Sequence, residues 1–296
     1  MDMKNRFPPL PKTISIFSEQ EKPEGSTMQY GHYYHALMKL PFFRRKRSVR
    51  VWLPHEYVTM PKRRFPVIYM SDGQNLVDAA FSAYGDWHLD RVLHALKKEE
   101  GLLPPILVGI DCPKHPGKRA NELCPPYPVL EETQIRGYPN HPIANQYIDF
   151  IVDELKPLID ANFRTDPSPK ATGLGGSSMG GIMAFYGYFY RKEVFGFSLA
   201  FSIPFFFYKK STWAKIIQGL DPDLEKCGKM AMFVGGEGYE SGFVPGAREE
   251  IEYLRSLGFG EDKILFMEDE TRPHHEEAWA DYSYPAFKFW LEGLPQ

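Results

Sequence analysis

With 296 residues, 43% of them hydrophobic and 25% charged, the chain has the composition of an ordinary globular protein and enough length for a sizeable core. A formal net charge of −3 gives no global attraction to phosphate backbones or anionic lipid, so neither nucleic acid nor a membrane surface is an expected partner. Cys112, Cys124 and Cys227 have neither the number nor the spacing of a disulfide framework or a zinc site, so free thiols, no metal and a reducing compartment are expected.

The N-terminal stretch from Met1 to Gln20 carries charges and prolines but no apolar run of signal-peptide length. No later stretch approaches the roughly 18 apolar residues of a membrane span. A cytoplasmic location is the expectation, unless a leader has been removed. No repeat, low-complexity block or Gly/Ser linker divides the sequence, so 1–296 reads as one domain, with 1–47 an N-terminal extension and edge. The basic run Arg44-Arg45-Lys46-Arg47 reads as a solvated strand edge rather than a binding patch.

Val49, Val51 and Leu53 alternate with polar residues as in a half-buried strand, whereas Pro66–Met70 and Ile106–Ile110 are short apolar runs suited to buried parallel strands. The proline-rich interval 112–142 fits no regular element and is expected to be a long loop near a site mouth. Across 145–163, Ile148, Ile151, Val152, Leu155 and Ile159 recur at helical steps, with Asp149, Asp153, Glu154 and Lys156 facing away. Ala171–Gly175, Phe197–Ser202, Met230–Gly235 and Lys263–Met267 read as further strands. Helices are expected at Gly180–Tyr190, Arg248–Leu257 and Glu277–Leu291. This alternation predicts the α/β class, with a mostly parallel central sheet covered by helices on both faces.

Between a predicted strand and a predicted helix stands Gly176-Ser177-Ser178-Met179-Gly180, a Gly-x-Ser-x-Gly motif. A serine at such a turn takes strained dihedrals, and the flanking glycines are needed because side chains there would strike the neighbouring strand and helix. The turn exposes Oγ at the carboxyl end of the sheet and aims the amides of the next helix at a developing oxyanion. A phosphate loop would require a lysine after its last glycine, where Ile182 and Met183 stand. Ser178, rather than Ser177, has glycines at both two-residue offsets and is the expected nucleophile.

Tyr69-Met-Ser-Asp-Gly-Gln-Asn-Leu76, Gly85-Asp-Trp-His-Leu-Asp90, Val108-Gly-Ile-Asp111, Gly175-Gly-Ser-Ser-Met-Gly-Gly181 and His274-His-Glu-Glu-Ala-Trp279 carry a further signal. Through them the chain, from about Ser48 to Leu291, resembles the putative-esterase family of α/β-hydrolases. That group includes feruloyl and other carbohydrate-ester esterases, siderophore esterases and mycolyltransferases. The resemblance implies an α/β-hydrolase fold and a serine esterase that needs no cofactor. One departure is Ser202-Ile-Pro-Phe-Phe206, where relatives often read Ser-Pro-Ser-Phe-Trp in a segment that faces the pocket.

The fold's order of nucleophile, acid and histidine leaves His274 and His275 as bases. Relatives place the catalytic histidine five residues before a tryptophan; His274 has that offset from Trp279, so it is the expected base and His275 the alternative. The acid should follow the strand Met230–Gly235. There Glu237 is preferred, since Gly236 and Gly238 allow a tight turn, and Glu240 is the alternative because Glu237 falls one residue short of the usual spacing. The oxyanion hole is assigned to the amides of Met179 and Gln74, the latter in a turn resembling the family's strand-end turn. Asp72 reads as a turn-holding residue.

Trp87 and Phe205 are candidate substrate contacts among the aromatics expected at strand ends. Arg119, with Asn121 and Glu122, resembles a family Arg-x-x-Glu stretch, so Arg119 either binds a polar alcohol moiety or pins the long loop by a salt bridge. The expected partner is a small-molecule or oligosaccharide ester. The first choice is an acyl- or feruloyl-type carbohydrate ester, the alternatives a siderophore lactone, acyl transfer on the same machinery, or a non-catalytic binding protein on a hydrolase scaffold.

Overall fold

The computed structural model describes residues 16–42, 46–127, 138–219 and 227–296. The first fifteen residues, Arg44 and Arg45, and residues 128–137 of the interval expected to be a loop lie outside the described residues.

One nine-stranded sheet runs in the order β1-β2-β3-β5-β4-β6-β7-β8-β9. Its strands are β1 (Ser18–Glu19), β2 (His32–Lys39), β3 (Lys46–Leu53), β4 (Val67–Ser71), β5 (Ile106–Ile110), β6 (Thr172–Ser177), β7 (Phe197–Phe201), β8 (Lys229–Gly235) and β9 (Ile264–Asp269). The first three pair antiparallel, and β3 meets β5 antiparallel with Val51 opposite Val108. From β5 to β9 every pairing is parallel, as the apolar runs predict.

The helices are α1 (Glu56–Thr59), α2 (Leu89–Glu100), α3 (Pro116–Leu123), α4 (Ala144–Phe150), α5 (Lys156–Asn162), α6 (Met179–Tyr190), α7 (Lys210–Gly219), α8 (Val244–Ser256) and α9 (Glu276–Leu291). Successive strand residues point to opposite faces, which divides the core in two. Val67 and Tyr69 of β4 join a cluster with α4, α5, α6, α7 and α8. Ile68 and Met70 join one with Leu89, Leu93 and Leu96 of α2 and Phe287, Trp290 and Leu291 of α9. These layers and the sheet order are those of the α/β-hydrolase fold.

The helix expected over 145–163 forms, but Ile151–Leu155 widens into a π-turn between α4 and α5. Pro157 supplies the reason, because its ring would clash with the carbonyl of Asp153 in a regular α-helix. Two expectations need correction. The interval 112–142 is not wholly irregular, for Pro116 opens α3 at a position where proline's missing N–H costs nothing. Within the basic run, Arg47 is not a solvated edge residue either. Its strand β3 is paired on both sides, and Arg47 donates to both carboxylate oxygens of buried Glu122 at 2.8 Å each.

Candidate active site

Ser178 joins β6 to α6 with φ 58° and ψ −123°, a backbone conformation that a side chain tolerates only under constraint. The constraint is visible. Ser178 N–H donates to Phe201 O at 2.9 Å, and Ser178 O accepts from Ile182 N–H at 3.1 Å. A Cβ at Gly176 would lie 2.8 Å from the carbonyl carbon of Gly180 and collide with Ser71 Oγ; one at Gly180 would meet the same hydroxyl. The motif glycines therefore make room for β4 and for the turn itself. Ser177 is buried and Ser178 half-buried, so Ser178 is the more accessible of the two serines.

Met179 is the first residue of α6, where backbone amides have no intrahelical acceptor. Gln74 sits in a single 3₁₀ turn, Gly73–Asn75, directly after β4. Its side chain is engaged: Oε1 accepts from Cys112 N–H at 3.0 Å, and Nε2 donates to Cys112 Sγ at 3.3 Å. Of the two groups Gln74 could present to a substrate, the side chain is therefore taken and the backbone N–H is the one that remains. Gly73 is required because a Cβ there would stand 2.5 Å from the carbonyl carbon of Gly109 in β5.

His274 lies on the loop after β9. Its Nδ1 forms a very short contact with Glu240 Oε2. Glu240 is completely buried in the turn after β8, and its other oxygen accepts from Gly235 N–H at 3.2 Å. The sequence preference for Glu237 is thus corrected. Glu237 is exposed, and the turn that follows it, Gly238–Gly242, carries the chain one step further before a carboxylate faces inward. His275 takes the role of a helix cap, accepting from Glu277 N–H at 3.3 Å.

The imidazole of His274 is walled by aromatic rings at centroid distances of 5.0 Å for Tyr239, 5.2 Å for Phe243 and 5.0 Å for Trp279. Trp279 Nε1–H donates to Ser202 Oγ at 2.9 Å, and Ser202 directly follows the Phe201 carbonyl that holds Ser178. This chain of contacts ties the histidine loop to the strand end that holds Ser178. Glu276 and Asn75 tie the remaining loop, with Asn75 Nδ2 donating to Glu276 Oε1 at 2.9 Å. Burial raises the Glu276 pKa.

Two of the three expected substrate contacts are core residues. Trp87 is 3% exposed, stacked on Phe201 at 5.6 Å. Phe205 is 4% exposed and packs on Phe185 and Trp213. The third, Arg119, is committed to Asp72: Nε and Nη2 each donate to a carboxylate oxygen at 2.7 Å. Of its two readings, the salt bridge is the one found. Large exposed apolar side chains near the site are instead Phe206, 39% exposed, and Tyr239, 67% exposed, both packed on Phe243.

Residues 41–230 match the putative-esterase family. The chain belongs to that family. It is 23% identical over 256 residues to the uncharacterized protein YbbA of Bacillus subtilis, covering 83% of this chain and 93% of YbbA. Among solved structures, an IroE-like serine hydrolase from Shewanella oneidensis superposes with a TM-score of 0.68 at 18% identity, over 89% of this chain and 80% of that one. A ferulic acid esterase gives 0.64 at 15% identity, over 90% and 100%. The siderophore hydrolase EstA of Aspergillus nidulans gives 0.64 at 16%, over 89% and 94%. At these identities the superpositions show the shared α/β-hydrolase fold, and the family match makes the chain an esterase.

Among the described residues, no group of three or more His, Cys, Asp or Glu side chains is arranged to hold a metal ion, and no helix is long and apolar enough to cross a membrane. No disulfide joins the three cysteines.

Proposed function

We propose that the chain hydrolyses carboxylic esters through an acyl-enzyme on Ser178, with His274 as general base and Glu240 as the carboxylate that orients it. The observations that carry this reading are the buried Glu240 carboxylate on His274 Nδ1 and a serine held at φ 58° in the strand-to-helix turn. A carboxylate on Nδ1 fixes the proton there and leaves Nε2 with the lone pair that accepts the serine proton. Ser178 Oγ then attacks the ester carbonyl. The oxygen that becomes negative is met by the Met179 and Gln74 amides, His274 returns its proton to the leaving alcohol, and water repeats the cycle in reverse.

For the substrate, the leading candidate is a carbohydrate ester of an acyl or feruloyl type. Tyr239, against His274, and Phe206, on the far side of Phe243, support it, since exposed rings suit stacking on a sugar face or a phenolic ring. A siderophore lactone is the second reading, favoured by the structural likeness to the EstA siderophore hydrolase. Initial rates on p-nitrophenyl, feruloyl and sugar acetate esters and on a catecholate trilactone, with and without added alcohol, rank these substrates and measure transfer against hydrolysis. Loss of all turnover in Ser178→Ala, with an unchanged circular dichroism spectrum, is expected; retained turnover would end the serine reading.

A further inference from the structure

Arg119 stands on α3, outside the residues that would touch the reacting atoms, yet it reaches two of the loops that shape them. Its guanidinium holds both oxygens of Asp72, the residue before the Gly73-Gln74 turn, and Nη2 also approaches Ser177 O at 3.4 Å, one residue before the nucleophile. On its other side α3 is anchored to β3 by the two-fold Arg47–Glu122 pair. Asp72 itself adopts the left-handed conformation, φ 54°, which aspartate tolerates better than most side chains.

The position of the Asp72 charge matters more than its turn. Asp72 Oδ2 lies 3.4 Å from where a Cβ of Gly180 would be, against the first turn of α6. A bare carboxylate there would draw on the same positive helix end that must stabilise the oxyanion, and so would oppose the charge that develops at the Met179 amide. Paired with Arg119 it is neutralised.

We propose that Arg119 is a positioning residue for ester cleavage: it clamps the Gln74 turn to the nucleophile strand and cancels the Asp72 charge beside the oxyanion hole. The proposal rests on the serine-esterase reading and assigns Arg119 no contact with substrate. It predicts an asymmetry that a merely structural salt bridge would lack, because removing the arginine leaves an anion next to the hole whereas removing the acid leaves a cation.

The test compares Arg119→Gln, Asp72→Asn, the double variant and Ser178→Ala on one p-nitrophenyl ester, with folding checked by circular dichroism. Arg119→Gln is expected to lose about 10²-fold in kcat with KM within about threefold, the scale of one lost oxyanion donor. Asp72→Asn should lose less than about tenfold, and the double variant, neutral at both positions, should return to within about tenfold of the wild type. Equal losses in the two single variants, a loss carried by KM, or a double variant no better than Arg119→Gln overturns the proposal. If Arg119→Gln does not fold, the double variant decides: kcat within about tenfold supports the proposal and a loss of about 10² contradicts it. Ser178→Ala separates the two failures, since turnover retained there would sink the serine reading rather than the clamp.

Discussion

Replacing Glu240 by glutamine tests the site through a single hydrogen bond. Glu240 is wholly buried, with Oε2 on His274 Nδ1 and Oε1 accepting from Gly235 N–H. In the glutamine variant the amide oxygen must stay on Gly235 N–H, because turning the amide round would set its NH₂ against that N–H. The NH₂ therefore faces Nδ1 and can only donate. His274 is driven to the tautomer protonated on Nε2, which has no lone pair to offer Ser178. Loss of base function by the wrong tautomer has a scale of about 10⁴ in kcat, or about 5 kcal/mol of barrier, with little change in KM. Initial rates on p-nitrophenyl butyrate, with thermal melts followed by circular dichroism, measure it. Glu237→Gln, at an exposed position, should stay within about twofold of the wild type. A Glu240→Gln enzyme within about tenfold of the wild type, or a large loss in Glu237→Gln, would refute the reasoning.

His274→Ala should lower kcat by several orders of magnitude, whereas His275→Ala should lose only its cap on Glu277 N–H, about 1 kcal/mol of stability, with kcat within a few-fold; steady-state rates and melts distinguish them. Tyr239→Ala and Phe206→Ala should raise KM for aryl or sugar esters several-fold while leaving kcat for p-nitrophenyl acetate nearly unchanged, and equal effects on both substrates would argue against a stacking role. Glu250, buried on α8, has its carboxyl pushed up from 4.5 to about 7 by burial. Below 4.5 both folded and unfolded chains are protonated there; between 4.5 and about 7 only the unfolded chain releases the proton, so stability falls as pH rises. The full penalty, on the order of 3 kcal/mol, applies above that range. Glu250→Gln should therefore raise the Tm at pH 8 and leave it unchanged at pH 4.

The parallel half of the sheet was legible because its strands are buried on both faces and read as unbroken apolar runs, Ile106–Ile110 above all. β2 was not, because His32–Lys39 mixes polar and apolar residues without strict alternation and its burial follows partners distant in sequence. The strained turn at Ser178 was legible because its motif glycines answer steric clashes, and the contact of His274 with a buried carboxylate fits the residue singled out by its offset from Trp279. The carboxylate that meets His274 was misjudged between two glutamates three residues apart. Inward orientation there depends on the 3₁₀ turn Gly238–Gly242, which glycine spacing alone does not determine. Trp87 and Phe205 show the same limit: sequence places aromatics at strand ends without saying whether a ring turns into the core or out to the site. Arg119 was read as substrate contact or salt bridge, and only the position of Asp72, far away in sequence, decides between them.

The central claim is that Ser178 carries the acyl group. Brief reaction with a fluorophosphonate, followed by proteolysis and mass spectrometry, tests it most directly. A single adduct on Ser178, absent from Ser178→Ala and lost in the wild type after prior saturation with a slow ester substrate, is the predicted result. An adduct on Ser177, or full ester turnover by an enzyme that takes no label on Ser178, would contradict it.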